Sequence, residues 1–246
     1  VNIKRYFDPE FHIDENMDLE TATTEIEKAF ENSVQAHRIS DVEVGCFLSS
    51  GIDSSYVSSY FAGQKAFTVG FDFGEKYNEM SWAKNLSKKI GINHYGKVIS
   101  SDEFWKSIKK VQYHMDQPLA DPACIALYFV SKLASEHVKV VLSGEGADEL
   151  FGGYGIYNEP RVFKTYQKIL PKKFRKFLAK LVQKIPFKFK GQGFIIRGAN
   201  KIEDKFIGNA FMFSKKDKQK ILKNPALATR PQNLCKPIYE KAKDYN

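Results

Sequence analysis

The stretch VEVGCFLSSGIDSSY, residues 42–56, joins a nearly all-apolar run to a cluster of small hydroxyl residues around one glycine and one carboxylate. Val42 to Leu48 has the composition of a strand buried on both faces of a parallel sheet. Ser49, Ser50, Gly51, Ser54 and Ser55 then stand where this strand hands over to a helix expected from Ser54 to about Ala62. A strand, a short glycine loop and a helix start form an anion site, because the outward N–H groups carry the positive end of the helix dipole. The serines add donors without bulk, and Gly51 takes backbone angles that other residues resist.

The same alternation runs outward from this stretch. LETATTEIEKAFENSVQAHRI (19–39) sets Ile26, Ala29, Phe30, Ser33, Val34 and His37 on one stripe of an amphipathic helix. KAFTVGF (65–71) reads as a strand, NEMSWAKNLSKKIG (78–91) as a helix closed by Gly91, and NHYGKVIS (93–100) as a strand. The helix of SSDEFWKSIKKVQYHM (100–115) opens with a capping box from Ser100 to Glu103. DPACIALYFVSKLASEH (121–137) starts a helix with Asp121 at the N-cap and Pro122 at N1, and VKVVLSGEG (138–146) is a further buried strand ending in a glycine loop. Strands alternating with helices over about 150 residues predict a doubly wound α/β domain with a mainly parallel sheet. Ligands of such sheets bind beyond the carboxyl ends of the strands, so the loops after Leu48 and Leu142 are expected to face one cleft. Beyond about Tyr157 the pattern is helical and punctuated by prolines.

Composition narrows the function classes. At 246 residues and 43% hydrophobic, the chain can bury a core. The apolar runs fall short of a membrane span and the start VNIKRYFDPEF lacks a signal peptide's apolar core, so a soluble, cytoplasmic protein is expected. Three widely spaced cysteines, Cys46, Cys124 and Cys235, form no disulfide or zinc framework; Cys46 and Cys124 read as small buried hydrophobes. The net charge of +9 is concentrated in KTYQKILPKKFRKFLAKLVQKIPFKFKGQ (164–192). There Phe163, Tyr166, Ile169 and Leu170, then Phe174, Phe177, Leu178, Leu181, Val182 and Ile185, recur at helical spacing, so the lysines are expected on a solvated helix face. RNA, an acidic lipid surface or a partner domain would be the other destinations for that charge.

The first loop is not a Walker A loop, since it has no Gly-Lys-Ser/Thr and no lysine to reach terminal phosphates. A carboxylate among phosphate donors calls for a divalent cation between them, so Asp53 points to Mg²⁺; as an alternative it caps the following helix. The second loop, LSGEGADELFGGY (142–154), sets Glu145, Asp148 and Glu149 among four glycines. Asp148 could serve as a second metal ligand and Glu145 as acid/base or electrostatic stabiliser, with a solvated acidic turn as the alternative.

These residues resemble a known family. LSSGIDSSY is similar to the Ser-Gly-Gly-x-Asp-Ser pyrophosphate loop of the ATP pyrophosphatases. LSGEGADELFGGY, with MDQPLADPACIALYFVSKLA (115–134) ahead of it, resembles the glutamine-dependent asparagine synthetases, closely over residues 1 to 160. The resemblance implies a PP-loop ATP pyrophosphatase fold of the adenine nucleotide alpha hydrolase type. It implies a linker remnant at 1–17, the α/β domain at 18–157 and a basic helical region at 158–246, incomplete at its C-terminus. It further implies a ligase that uses ATP and Mg²⁺, activates the aspartate side chain as an acyl adenylate with release of pyrophosphate, and takes ammonia from an N-terminal glutaminase domain. Carried over by motif position, Ser49, Gly51, Asp53 and Ser54 hold pyrophosphate and metal. Backbone groups of Phe47, Val69 and Gly144 frame the nucleotide beside Ser143, Glu145 acts at the amide-forming step, and Asp148 is a metal-side carboxylate. Ser50 stands where the family carries its second glycine, still in the nucleotide loop. Neither nucleic acid nor membrane is expected as a partner; a homodimer is compatible. These residues alone are expected to be inactive.

Two rival readings remain at the level of sequence: a same-fold amide ligase with another carboxylate acceptor, and a PP-loop RNA-modifying protein. A nucleotide-binding but inactive piece is a third. His94 and His114 read as strand-end and helix residues rather than ligands, Trp82 and Trp105 as core, and Glu79 as either a site carboxylate or a favourable helix-start residue.

Overall fold

The computed structural model describes residues 2–7, 12–62, 64–72, 74, 78–117, 119, 121–207, 213 and 215–243, with the backbone alone at 215 and 216. Two compact units divide the chain: Met17–Phe151, and Val1–Asn16 together with Gly152–Asn246.

In the first unit α1 (Leu19–His37) opens on Asp18, whose carboxylate accepts the Thr21 N–H at 2.7 Å. Then follow β1 (Val44–Phe47), α2 (Ile52–Ser59), β2 (Lys65–Phe71), α3 (Met80–Ile90), β3 (Asn93–Ile99), α4 (Ser101–His114), α5 (Ala123–Ser135), β4 (Val140–Leu142) and α6 (Ala147–Phe151). The strands form one parallel sheet in the order β3-β2-β1-β4. Alternation sorts its side chains between two faces. Cys46 and Ala66, Cα partners across β1 and β2, pack with Val34 of α1, Val57 of α2 and Ala83 of α3. Their neighbours Phe47 and Phe67, also partners, face Val130 and Ala134 of α5, while Ile99 meets Val111 of α4. Helices therefore cover both faces, as a doubly wound α/β fold requires.

Several boundaries and burials differ from expectation. Helix α2 begins at Ile52, with Gly51 at its N-cap, so Asp53 stands inside the first turn and is not the N-cap residue. The N-cap of α5 is Pro122, although the Asp121 carboxylate still accepts the Ala123 N–H at 2.9 Å. The final strand, expected to be buried, lies at the sheet's edge with Val140 exposed. Trp82 and Trp105, expected in the core, are 40% and 68% exposed. Both sit on the anticipated helices, but α3 turns Ala83 and Ser87 inward and α4 turns Ser107 and Val111 inward.

The second unit is helical: α7 (Glu159–Ile169), α8 (Lys172–Gln183), α9 (Gln192–Gly198), α10 (Ile202–Lys205), α11 (Lys215–Ile221) and α12 (Pro231–Ala242). Its lysines at 173, 176 and 180 are solvated as expected. The apolar stripe holds only in part: Phe163 and Val182 are buried, but Phe174, Phe177 and Leu181 are exposed, and α8 buries Arg175 and Ala179 beside Val182. Arg175 donates to the Gly198 carbonyl at 3.0 Å, which rotates α8 by the position of that one buried cation. A second buried ion anchors the unit. Glu159, 5% exposed, pairs with Arg197 and Lys205. Burial alone would raise its carboxyl pKa, but the hydrogen bonds from Lys205 and Arg197 outweigh burial and hold it below the ordinary value. Among the described residues no helix is long and apolar enough to cross a membrane.

Candidate functional site

The chain reverses its march across the sheet between β1 and β4. Successive connections carry it outward from β1 to β2 to β3, and α4 and α5 then return it to β4 on the other side of β1. Open α/β sheets bind ligands beyond the carboxyl ends of the strands at such a reversal. Both glycine loops begin there, one after Phe47 and one after Leu142.

The two loops touch. A Cβ on Gly144 would lie 2.8 Å from the Asp53 carbonyl carbon, the Asp53 Cβ and the Ser54 nitrogen, so glycine alone lets the second loop rest on the first turn of α2. A cavity of about 670 Å³ opens beside this contact, with Asp53, Ser143, Gly144 and Glu145 in its lining. Four expected residues thus meet at one cavity. Ile26 and Phe30 of the amphipathic α1 stripe line the same cavity. That stripe was visible in the sequence, but its destination was not.

The first loop is closed on itself by its hydroxyls. Ser49 N–H donates to Ser54 Oγ at 3.0 Å, and the two hydroxyl oxygens lie 2.7 Å apart. Gly51 N–H donates to Ser49 Oγ at 3.1 Å, and the Ser54 and Ser55 hydroxyls donate to the Gly51 carbonyl at 3.2 and 2.5 Å. One assignment satisfies the buried Ser54: it accepts from Ser49 and donates to Gly51. Ser49 and Ser54 therefore shape the loop before any ligand arrives. Helix α2 has no side-chain cap, so its first-turn N–H groups keep the anion-binding character of a helix start. Ser50 donates from both N–H and Oγ to Glu79, a partner that the sequence alone did not connect to it.

In the second loop Glu145 N–H donates to Ser143 Oγ at 3.4 Å, and the Glu145 side chain is exposed. Asp148 lies in the first turn of α6 and is half-buried. Phe47 and Val69 turn their side chains toward the α5 face of the sheet. Pro118 and Ala120 of the MDQPLADP segment lie outside the described residues.

Two neighbours support the loop base. Thr68, buried on β2, donates to the Leu48 carbonyl at 2.6 Å, so its single proton is committed and His94 Nε2–H must be the donor across their 2.9 Å contact. Burial, with Lys84 nearby, lowers the His94 pKa. Cys46 is fully buried beneath the loop, and burial pushes its thiol up to about 11, which suits a packed side chain rather than a nucleophile. The donor set at the two loops consists of hydroxyl, carboxylate and backbone groups. It fits a hard cation and a phosphate chain, not a soft metal.

Comparison with known proteins places this geometry in a family. The asparagine synthase family profile matches residues 25–228. The chain is similar to asparagine synthetase [glutamine-hydrolyzing] 1 of Bacillus subtilis, at 39% identity over 252 aligned residues that cover all of this chain and 39% of that protein. A putative asparagine synthetase [glutamine-hydrolyzing] of Mycobacterium tuberculosis is 37% identical over 246 residues, covering 98% of this chain and 37% of its own length. Asparagine synthetase [glutamine-hydrolyzing] 1 of Arabidopsis thaliana is 36% identical over 146 residues, covering 52% and 24%. The chain spans about two fifths of the length of the two bacterial relatives, and the likeness runs well past residue 160, where the motifs had suggested it would thin. With the switch-point loops, the paired motifs and a profile match over most of its residues in agreement, the chain belongs to the asparagine synthase family.

Proposed function

We propose that this chain is the ATP-using, amide-forming core of a glutamine-hydrolysing asparagine synthetase. The observation that carries the reading is the contact of Gly144 with Asp53 and Ser54, which joins the loops of β1 and β4 into one wall of one cavity. Residues 18–157 would form the ATP pyrophosphatase domain and 158–246 its basic helical companion.

In this reading ATP is cleaved between its α and β phosphates with release of pyrophosphate, and an aspartate side-chain carboxylate becomes an acyl adenylate that ammonia converts to asparagine with release of AMP. The first-turn N–H groups of α2 would bind the leaving pyrophosphate, with Ser49 and Ser54 keeping the preceding loop in shape. Asp53 and Asp148 would hold Mg²⁺, which would neutralise phosphate charge. The Phe47, Val69 and Gly144 backbones frame the nucleotide next to Ser143. Glu145, exposed in the cavity lining, would stabilise the cationic ammonia adduct and accept its proton. Ammonia would come from a glutaminase domain.

A second reading, the same chemistry on a different carboxylate acceptor, draws on one observation: α1 gives the cavity an apolar wall through Ile26 and Phe30. Pyrophosphate release measured with ATP, Mg²⁺ and ammonia against a panel of carboxylates separates the two. Release that depends on aspartate supports the first reading. Release that needs an apolar carboxylate and ignores aspartate replaces it with the second.

A further inference from the structure

Ser50 occupies a position where the resembled loop has glycine, and both of its donors have one destination. Its N–H donates to Glu79 Oε2 at 3.2 Å and its Oγ–H to Glu79 Oε1 at 2.8 Å. A glycine at 50 would retain only the first of these bonds.

The carboxylate is held there by the way α3 begins. Glu79 stands between Asn78 and Met80, whose N–H donates to Asn78 Oδ1 at 3.1 Å. Glycines on two strands admit this turn to the sheet. A Cβ on Gly70 of β2 would come within 2.5 Å of Asn78 Oδ1 and 3.0 Å of Met80 Cγ, and one on Gly96 of β3 would overlap the Met80 thioether. Residues on either side of Glu79 are thus seated on the sheet, and the Glu79 side chain reaches the β1 loop.

Two carboxylate oxygens received by an N–H and an O–H reproduce what one end of a diphosphate offers: adjacent anionic oxygens seeking donors. The Ser50 donors cannot serve both anions at full strength, and two like charges at one donor pair repel. We propose that Glu79 is an internal stand-in for the bound anion. It engages the Ser50 donors, keeps them oriented, and competes with pyrophosphate for them, so that the product is held less tightly than the loop alone would hold it. This inference rests on the reading of the β1 loop as a pyrophosphate site.

The test is calorimetric titration of the 246-residue chain with inorganic pyrophosphate, with Mg²⁺ and in its absence, for the unaltered protein, Glu79→Gln and Glu79→Ala. Glu79→Gln keeps the size of the side chain and removes its charge; binding is expected to tighten about tenfold in both arms, a difference of about 1.4 kcal/mol. Glu79→Ala, which removes the competing group altogether, moves affinity the same way and carries the test if the glutamine variant does not fold. Unchanged or weaker binding by the variants, with binding by the unaltered chain intact, overturns the stand-in and leaves the loop assignment in place. Weakening confined to the Mg²⁺ arm makes Glu79 a cation ligand and likewise overturns it. Absence of binding by the unaltered chain and both variants overturns the loop assignment, and the stand-in with it.

Discussion

A single methyl group at residue 144 separates two kinds of explanation for the glycines of the second loop. If they only turned the chain, Gly144→Ala would cost little. The Cβ would instead sit 2.8 Å from three atoms of Asp53 and Ser54, closer than packed atoms approach, so the loop has to move off α2. We expect Gly144→Ala to lower stability by about 1–3 kcal/mol, the usual cost of overpacking, and to abolish nucleotide binding. Urea unfolding and nucleotide titration check the two effects; a variant with normal stability and normal binding contradicts the contact between the loops. At this scale the sequence was legible in residue type and silent on partnership. The density of serine, glycine and acid at 49–54 and 143–149 marked both loops. Nothing in the spacing joined Ser50 to Glu79, 29 positions away, or assigned Ser49 and Ser54 to the interior of the loop.

Elements were read more securely than their surroundings. The capping box at Ser100 stands as expected, with Glu103 N–H donating to Ser100 Oγ at 3.2 Å and Ser100 N–H to Glu103 Oε2 at 3.1 Å. Lys97 adds a bond at 2.8 Å, and together the lysine and the Ser100 backbone depress the Glu103 carboxyl from 4.5 to about 2. Because the folded value lies below the unfolded one, the contribution is fully present above about pH 4.5 and fades as pH falls toward 2. Comparing urea midpoints of the wild type and Glu103→Gln between pH 6 and pH 2.5 should show a gap that closes with acid; a gap independent of pH contradicts the cap's charge. The periodicities that located α3, α4 and α8 could not say which face each helix docks. That depends on what lies opposite: a sheet that accepts Ala83 and Ser87 leaves Trp82 outside, and a buried Arg175 turns Phe174 and Phe177 to solvent. Likewise β4 reads as a buried strand by composition, and only the strand order reveals it as an edge.

For the whole molecule, local apolar patterns legible in the sequence led to a doubly wound parallel sheet, and that topology put two distant loops at one reversal of strand order. The cavity beside them was not legible, because part of its lining belongs to α1, whose stripe marks an amphipathic helix without naming what that face meets. The helical unit rests on a different device, the buried Glu159 with Arg197 and Lys205. Glu159→Gln should destabilise that unit by about 2 kcal/mol, less than the loss of a fully buried pair because Arg197 is partly open to water. Urea unfolding followed by limited proteolysis of 152–246 would register it, and an unchanged midpoint would contradict the anchor. The proposed assignment is one Mg²⁺-dependent nucleotide site built by the two loops, with Asp53 at the metal. Its most direct test is titration of this chain with ATP, with Mg²⁺ and with chelator, for wild type and Asp53→Ala. Binding that needs Mg²⁺ and weakens at least about tenfold in the variant is the predicted result, and equal affinity of the two proteins would contradict it.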